Sequence, residues 1–235
     1  MFRGLFGNMQ PVVKNLLIIN GLFFLATMVL MKQDVFLVQE LGLYYPDSYS
    51  FQPYQLATHF FMHDDQGLRH ILFNMIALLV FGNMLERVLE SKRFLIFFFA
   101  TALGAAFIHL LVTGIEIYNI TDSFFPFSDG ILTTGNIDVD AELNRRVYAP
   151  TVGASGAIYG LIVGAAMYFP NTKLYIYALL PIKVKWLAAL AIGFDIVSIF
   201  KDNPNDHTAH FAHLGGALFG FLIIYFWKKK SNTFY

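Results

Sequence analysis

The 235-residue chain has no cysteine, only two tryptophans, and charged residues at just 14% of its positions. Without cysteine there is no disulfide framework, no thiol nucleophile and no cysteine-bound zinc. Soluble domains carry roughly 25% charged residues, so this chain has too few to be a typical water-soluble enzyme. Its 16 basic and 16 acidic side chains cancel to zero formal charge, which removes the electrostatic footprint of a nucleic-acid-binding protein. Low-complexity tracts and internal repeats are also missing, and a disordered tail or collagen-like repeat is excluded.

What is present is apolar. Hydrophobic residues make up 57% of the chain, phenylalanine alone occurs 26 times, and the mean hydropathy is +0.56. Six apolar stretches can be marked, at roughly 14–31, 69–89, 93–113, 152–169, 184–200 and 208–227. Each is near the length of about 20 residues that crosses a bilayer. The chain is read as an all-α membrane protein, one six-helix domain over residues 1–235. The first stretch is followed by Lys32-Gln33-Asp34 rather than a small-residue cleavage site, so it is expected to be a retained helix.

Charge gives the orientation. With the N-terminus inside, one side holds 11 of the 16 bases, from Arg3 and Lys14 through Arg87, Lys92 and Arg93 to Lys228–Lys230. The other side takes 13 of the 16 acids, leaving Glu86 and Glu90 inside and Asp195 within a span. That bias predicts both termini in the cytoplasm and insertion into a bacterial-type inner membrane. Two outer loops are large. Residues 32–58 are rich in aromatics expected at the lipid interface, and residues 114–151 read as a long acidic loop.

Polar residues inside spans mark candidate sites, and three groups lie near the outer ends of the second, fourth and sixth spans. His70 and Asn74 are four apart, on one helix face. Gly153-Ala154-Ser155-Gly156 opens a helix, with Tyr159 one turn below. His210-Phe-Ala-His213-Leu-Gly215-Gly216 leads towards Gly220. All three spans run in the same direction, so these groups share one shallow depth. A serine needs a base to become a nucleophile, and an imidazole from another helix supplies one. The Ser155 N–H at a helix start, with Asn74 and His70, offers donors for an oxyanion. Glycines beside Ser155 and after His213 would let the two backbones approach closely.

These residues resemble the rhomboid intramembrane serine proteases over nearly the whole chain. The matching pieces are His70-xxx-Asn74, Gly153-Ala154-Ser155-Gly156 with Tyr159, Ala212-His213-Leu214-Gly215-Gly216 with Gly220, and Glu86 twelve residues after Asn74. The stretch from Tyr54 to His63 also looks like the rhomboid entry to the second span. The resemblance implies a six-transmembrane-helix rhomboid-like bundle with Ser155 as nucleophile and His213 as general base. His70 and Asn74 would serve the oxyanion hole, Tyr159 would stack on the histidine, and Glu86 would help hold the bundle from inside. Gly153, Gly156 and Gly216 would support the site. It further implies single-span transmembrane protein substrates in contact with membrane lipid, and no metal or cofactor. The chain departs from the family in lacking the Trp-Arg pair of the first outer loop, since its tryptophans are Trp186 and Trp227, and in its long third outer loop.

His210 competes with His213 as the base, but the glycines three and seven residues after His213 fit the family spacing, leaving His210 a supporting role. His59 and His63 stand four apart without a HExxH pattern, so they are expected to shape the turn into the second span. His109 is expected to be a satisfied interfacial histidine. Asp195 lacks the second acid and the GxGD motif of an aspartyl protease, and is expected to be protonated or hydrogen-bonded to a neighbouring helix. The fifth span and the 201–207 loop would be mobile. Two rivals are a catalytically silent relative that binds transmembrane helices and a proton-coupled transporter; the latter lacks an inverted repeat to support it.

Overall fold

A computed structural model describes residues 9–64, 68–128, 133–176, 180–201 and 208–231. The expected cap at 202–206 and His207 lie outside the described residues. The chain is mostly helical, at 74%, and its major helices pack around Phe94, Phe97, Phe98, Leu85, Leu161 and Ile224.

Helix α1 (Pro11–Met31) starts with a proline, whose fixed φ suits the first helical position and whose missing N–H needs no partner. The next orphan donors are met from another helix. Glu86 accepts the Val12 N–H at 3.0 Å and the Val13 N–H at 2.9 Å, and Asn83 accepts the Gln10 N–H at 2.8 Å. Glu86 is 1% exposed and also accepts from Ser91 Oγ at 2.7 Å. A buried carboxylate at a helix N-terminus is favourable because it meets both the bare N–H groups and the dipole.

The connection to the second span carries two short helices, α2 (Leu37–Leu41) and α3 (Gln55–Thr58), then a 3₁₀ turn at His59–Phe61. Not all of its aromatics face lipid as the composition suggested. Tyr49 is 84% exposed, but Tyr44 and Tyr45 are buried in protein, and the Tyr45 hydroxyl donates to the Phe124 carbonyl at 2.9 Å. Asp47, also buried, accepts from the Phe127 and Ser128 N–H groups and from Ser128 Oγ.

Helix α4 (Leu68–Ala77) passes through a π-helical turn at Leu78–Gly82 into α5 (Asn83–Thr121). The whole run, Leu68–Thr121, has 54 residues, about 80 Å if straight and far longer than a hydrocarbon core of about 30 Å. It does not stay straight. Glu90 has φ 62° and ψ 158°, outside helical space. A Cβ built on Gly82 would lie 3.5 Å from the Phe94 ring, so residues twelve apart touch and the chain folds back on itself. The two arms are 68–89 and 91–121. The second arm extends eight residues past its expected end, because the apolar face continues through Ile117, which is fully buried.

The long outer loop is thus shorter than expected, and it contains a helix, α6 (Ile137–Tyr148). The Asn136 side chain caps it by accepting from the Asp138 and Val139 N–H groups. Asp138 and Asp140 lie in its first turn and Arg145 and Arg146 in its last, matching the helix dipole. Arg146 pairs with Glu116 of α5 and with Glu142.

Helix α7 (Ser155–Tyr168) leads into a two-stranded antiparallel hairpin, β1 (Lys173–Ile176) with β2 (Leu180–Lys183), pairing Lys173 with Lys183 and Leu174 with Ile182. An all-α reading omits this hairpin. Helices α8 (Val184–Lys201) and α9 (His210–Ser231) complete the bundle. Helix α7 is the central element, apolar and largely enclosed, and it packs against α5, α8 and α9.

Among the described residues, three helical runs are long and apolar enough to cross a membrane: Pro11–Met31, Leu68–Thr121 and His210–Lys229, with Ser155–Tyr168 apolar but shorter. Large apolar side chains stand exposed on the outside of the bundle, among them Leu22 and Leu25 on α1, Phe73 on α4, Phe194 on α8 and Phe226 on α9. Water would not tolerate so much exposed apolar surface. The outside of this bundle is a surface for lipid.

Candidate active site

Three helix starts meet at one level. His70 is the third residue of α4, Ser155 the first of α7 and His210 the first of α9. Glycine makes the meeting of α7 and α9 possible. A Cβ on Gly216 would overlap the Gly156 carbonyl, and one on Gly220 would lie 2.7 Å from the Gly160 Cα. Backbone therefore meets backbone directly, as small-residue pairs allow in membranes.

That crossing brings Ser155 Oγ to 2.8 Å from His213 Nε2. The Tyr159 ring stacks on the His213 ring, centroids 4.3 Å apart and planes 11° from parallel. His213, rather than His210, is the histidine in contact with the serine. Its other nitrogen, Nδ1, lies 3.0 Å from Asp195 Oδ1. His210 Nδ1 reaches the same oxygen at 2.5 Å.

Asp195 lies within α8, in the fifth apolar stretch, as expected. It lies six residues from the end of α8, level with the first turn of α9, and is 1% exposed. Asp195 is expected from sequence to be protonated or hydrogen-bonded to a neighbouring helix; the structure shows the hydrogen bond, and its partners on α9, His210 and His213, are not named by any sequence pattern. One signal was available: only eight residues separate Lys201 at the end of α8 from His210 at the start of α9, which must set the two helix ends side by side.

The fourth helix supplies donors. The Asp64 N–H donates to His70 Nδ1 at 3.2 Å. A nitrogen that accepts from a backbone amide carries no proton, so in neutral His70 the proton is on Nε2. That Nε2 faces Gly153: a Cβ there would lie 2.8 Å from it and 3.7 Å from Ser155 Oγ. Gly153 has φ +120°, and the imidazole occupies the space a side chain would need. The buried Asn74 amide donates to the His70 carbonyl at 2.8 Å, and its Oδ1 has no partner among the described residues. The Ser155 N–H, at the first position of α7, has no intrahelical acceptor.

The other histidines surround this centre. His59 Nδ1 bonds the Gln55 carbonyl at 2.8 Å, and the His59 carbonyl accepts the Gly153 N–H at 3.0 Å, so the 3₁₀ turn holds the loop before Ser155. His63 is buried 5.2 Å from the His70 ring, and neither of its nitrogens has a partner among the described residues. Burial pushes both His59 and His63 down to about 4, and the nearby His70 adds to the effect at His63. His109 Nε2 bonds Thr151 Oγ1 at 2.8 Å. Asp195, His210 and His213 bring ligand-type atoms within 4.8 Å of one another, which is metal-like spacing. Here the two Nδ1 atoms are already engaged with the carboxylate.

A rhomboid domain model matches residues 50–230. Among curated relatives in Arabidopsis thaliana, the mitochondrial RHOMBOID-like protein 12 is 29% identical over 88% of this chain and 56% of its own length. Rhomboid-like protein 19 is 27% identical over 69% of this chain and 45% of its own. The chloroplastic Rhomboid-like protein 16 is 24% identical over 88% of this chain and 59% of its own. The chain spans about half the length of these relatives. With the family model covering most of its residues, the chain belongs to the rhomboid family of membrane proteins.

Proposed function

We propose that this protein is an intramembrane serine endopeptidase that cuts single-span transmembrane or membrane-anchored proteins near the outer face of the bilayer. One observation carries the reading: a serine and a histidine from different helices in direct contact, 2.8 Å apart, with the ring held by Tyr159. Ser155 Oγ attacks the scissile carbonyl while its proton passes to His213 Nε2. The Ser155 N–H, His70 Nε2–H and an Asn74 N–H stabilise the oxyanion. His213 then returns the proton to the leaving amine, and water releases the acyl group from Ser155. No metal or cofactor takes part.

The architecture we propose has six spans: α1, the two arms 68–89 and 91–121, α7, α8 and α9. Both termini lie on the basic, cytoplasmic side, an orientation supported by the charge bias. Substrate enters between α4 and α8. Both helices pack on α7, and they expose apolar side chains such as Phe73 and Phe194, the latter 66% exposed.

The test uses purified protein in liposomes with a fluorogenic transmembrane substrate. Wild type should cleave, and Ser155→Ala and His213→Ala should not. A folded wild type that neither cleaves nor reacts with a fluorophosphonate at Ser155 would instead be a silent relative that binds transmembrane helices. Cross-linking α8 to α4 should block the protein substrate and spare the fluorophosphonate; equal loss of both would refute the lateral entry.

A further inference from the structure

A serine and a histidine complete the proposed reaction, yet a third group touches the base. Asp195 Oδ1 lies 3.0 Å from His213 Nδ1, on the side of the ring away from Ser155. An ionised carboxylate can only accept a hydrogen bond, so the imidazole nitrogen that faces it is the N–H donor. His213 therefore carries its proton on Nδ1 and presents a lone pair at Nε2, the atom 2.8 Å from Ser155 Oγ. His210 donates to the same carboxylate oxygen from the first turn of α9 and fixes it from a second direction.

We propose that Asp195 is a positioning residue, the third member of a Ser155–His213–Asp195 triad, with His210 clamping its carboxylate. The inference rests on the protease reading. In the acylation step the Ser155 Oγ–C bond forms, and the hydroxyl proton moves to His213 Nε2 and stops there. The Nδ1 proton stays on His213, so the imidazolium is balanced by a carboxylate that does not itself take up a proton. Because Asp195 sits on α8 and both histidines on α9, a displacement of α8 that admitted substrate would also strain the base's support. Position of α8 and strength of the base are thereby coupled.

The test compares wild type, Asp195→Asn and Asp195→Glu, in EDTA, by transmembrane-substrate kinetics, fluorophosphonate labelling of Ser155 and thermal unfolding. An asparagine can offer an N–H to His213 and favour the wrong tautomer. kcat in Asp195→Asn should fall by about 100-fold or more with little change in KM, labelling should slow in parallel, and Asp195→Glu should recover part of the loss. A folded Asp195→Asn protein that retains kcat within threefold overturns the proposal and leaves a dyad. Loss of cleavage and labelling in wild type itself would instead refute the protease reading.

If Asp195→Asn does not fold, proton NMR of wild type decides. Two strongly downfield imidazole N–H signals are expected, one lost in His213→Ala and the other in His210→Ala. Absence of the His213 signal from folded wild type overturns the proposal.

Discussion

The contact between α7 and α9 sets both stability and geometry, so adding one methyl group should separate two kinds of glycine. A Cβ on Gly220 would sit 2.7 Å from the Gly160 Cα, against ordinary contact from 3.4 Å, so the helices must part by roughly 0.7 Å. On Gly216 the overlap, with the Gly156 carbonyl, is deeper. Overpacking of this kind costs about 1–3 kcal/mol, with Gly220→Ala expected near the lower end and Gly216→Ala near the upper. Activity should fall further than stability. Gly156 adjoins Ser155 and Gly216 follows His213 by three, so parting the helices stretches the 2.8 Å contact between serine and base. A misplacement near 1 Å costs about 100-fold in rate. Gly21 supplies the opposite sign: nothing lies within 4 Å of its Cβ position, and alanine in a helix interior gains about 0.5–1 kcal/mol over glycine. The assay is denaturant unfolding in micelles followed by circular dichroism, with cleavage rates on the same preparations. If Gly216→Ala unfolds within about 0.5 kcal/mol of wild type and cleaves at full rate, or if Gly21→Ala costs as much as Gly216→Ala, the close crossing is refuted.

Glu86→Gln should lower unfolding stability by about 2 kcal/mol and Glu86→Ala by about 4, since the carboxylate accepts two α1 N–H groups and Ser91 Oγ in a buried site; equal stability of all three proteins would be inconsistent with this role. His59 is held near 4 against an ordinary 6.5, so the unfolded chain binds the extra proton first. Its contribution is intact above pH 6.5 and is lost as pH falls towards 4, up to about 3 kcal/mol, and unfolding of His59→Gln should show a shallower acid dependence over that window. Asp47→Ala releases Phe127 and Ser128 from their carboxylate; limited proteolysis near 121–128 should speed up, while cleavage activity changes less than threefold.

Much of the fold is legible because its causes are local. Apolar runs mark the long helices, and Pro11 marks the start of α1. The extra turns to Thr121 and helix α6 escape a reading by hydropathy because residues 114–151 are acidic, carry only short apolar runs and are punctuated by Gly, Asn, Ser and Pro. In the folded chain Asp138 and Asp140 instead favour the N-terminal turn of α6. The hairpin at Lys173–Lys183 was missed because neither four-residue strand carries a period long enough to distinguish it from a loop. The aromatic loop misled for a different reason: composition says that Tyr44 and Tyr45 avoid water, not whether lipid or protein covers them.

At the site, the serine and its base could be paired in sequence because glycine spacing reports on helix crossing, and a helix crossing is a distance. Gly156 and Gly216 say that two backbones touch, which places Ser155 and His213 within one turn of each other. No such pattern points from α8 to α9. Asp195 lies on a lipid-facing helix between two exposed apolar residues, Phe194 and Ile196, so hydropathy reads it as a lone buried acid. Its meaning depends on rotation of α8 about its axis, which turns one residue inward and its neighbours out. Burying an acid in a membrane protein is costly unless a donor meets it, and two imidazole nitrogens meet this one. The rotation that buries Asp195 therefore also aligns the base, and no change at this position can test one role without the other unless the variant keeps its shape. That is why asparagine, rather than alanine, separates support of the helix from support of the histidine.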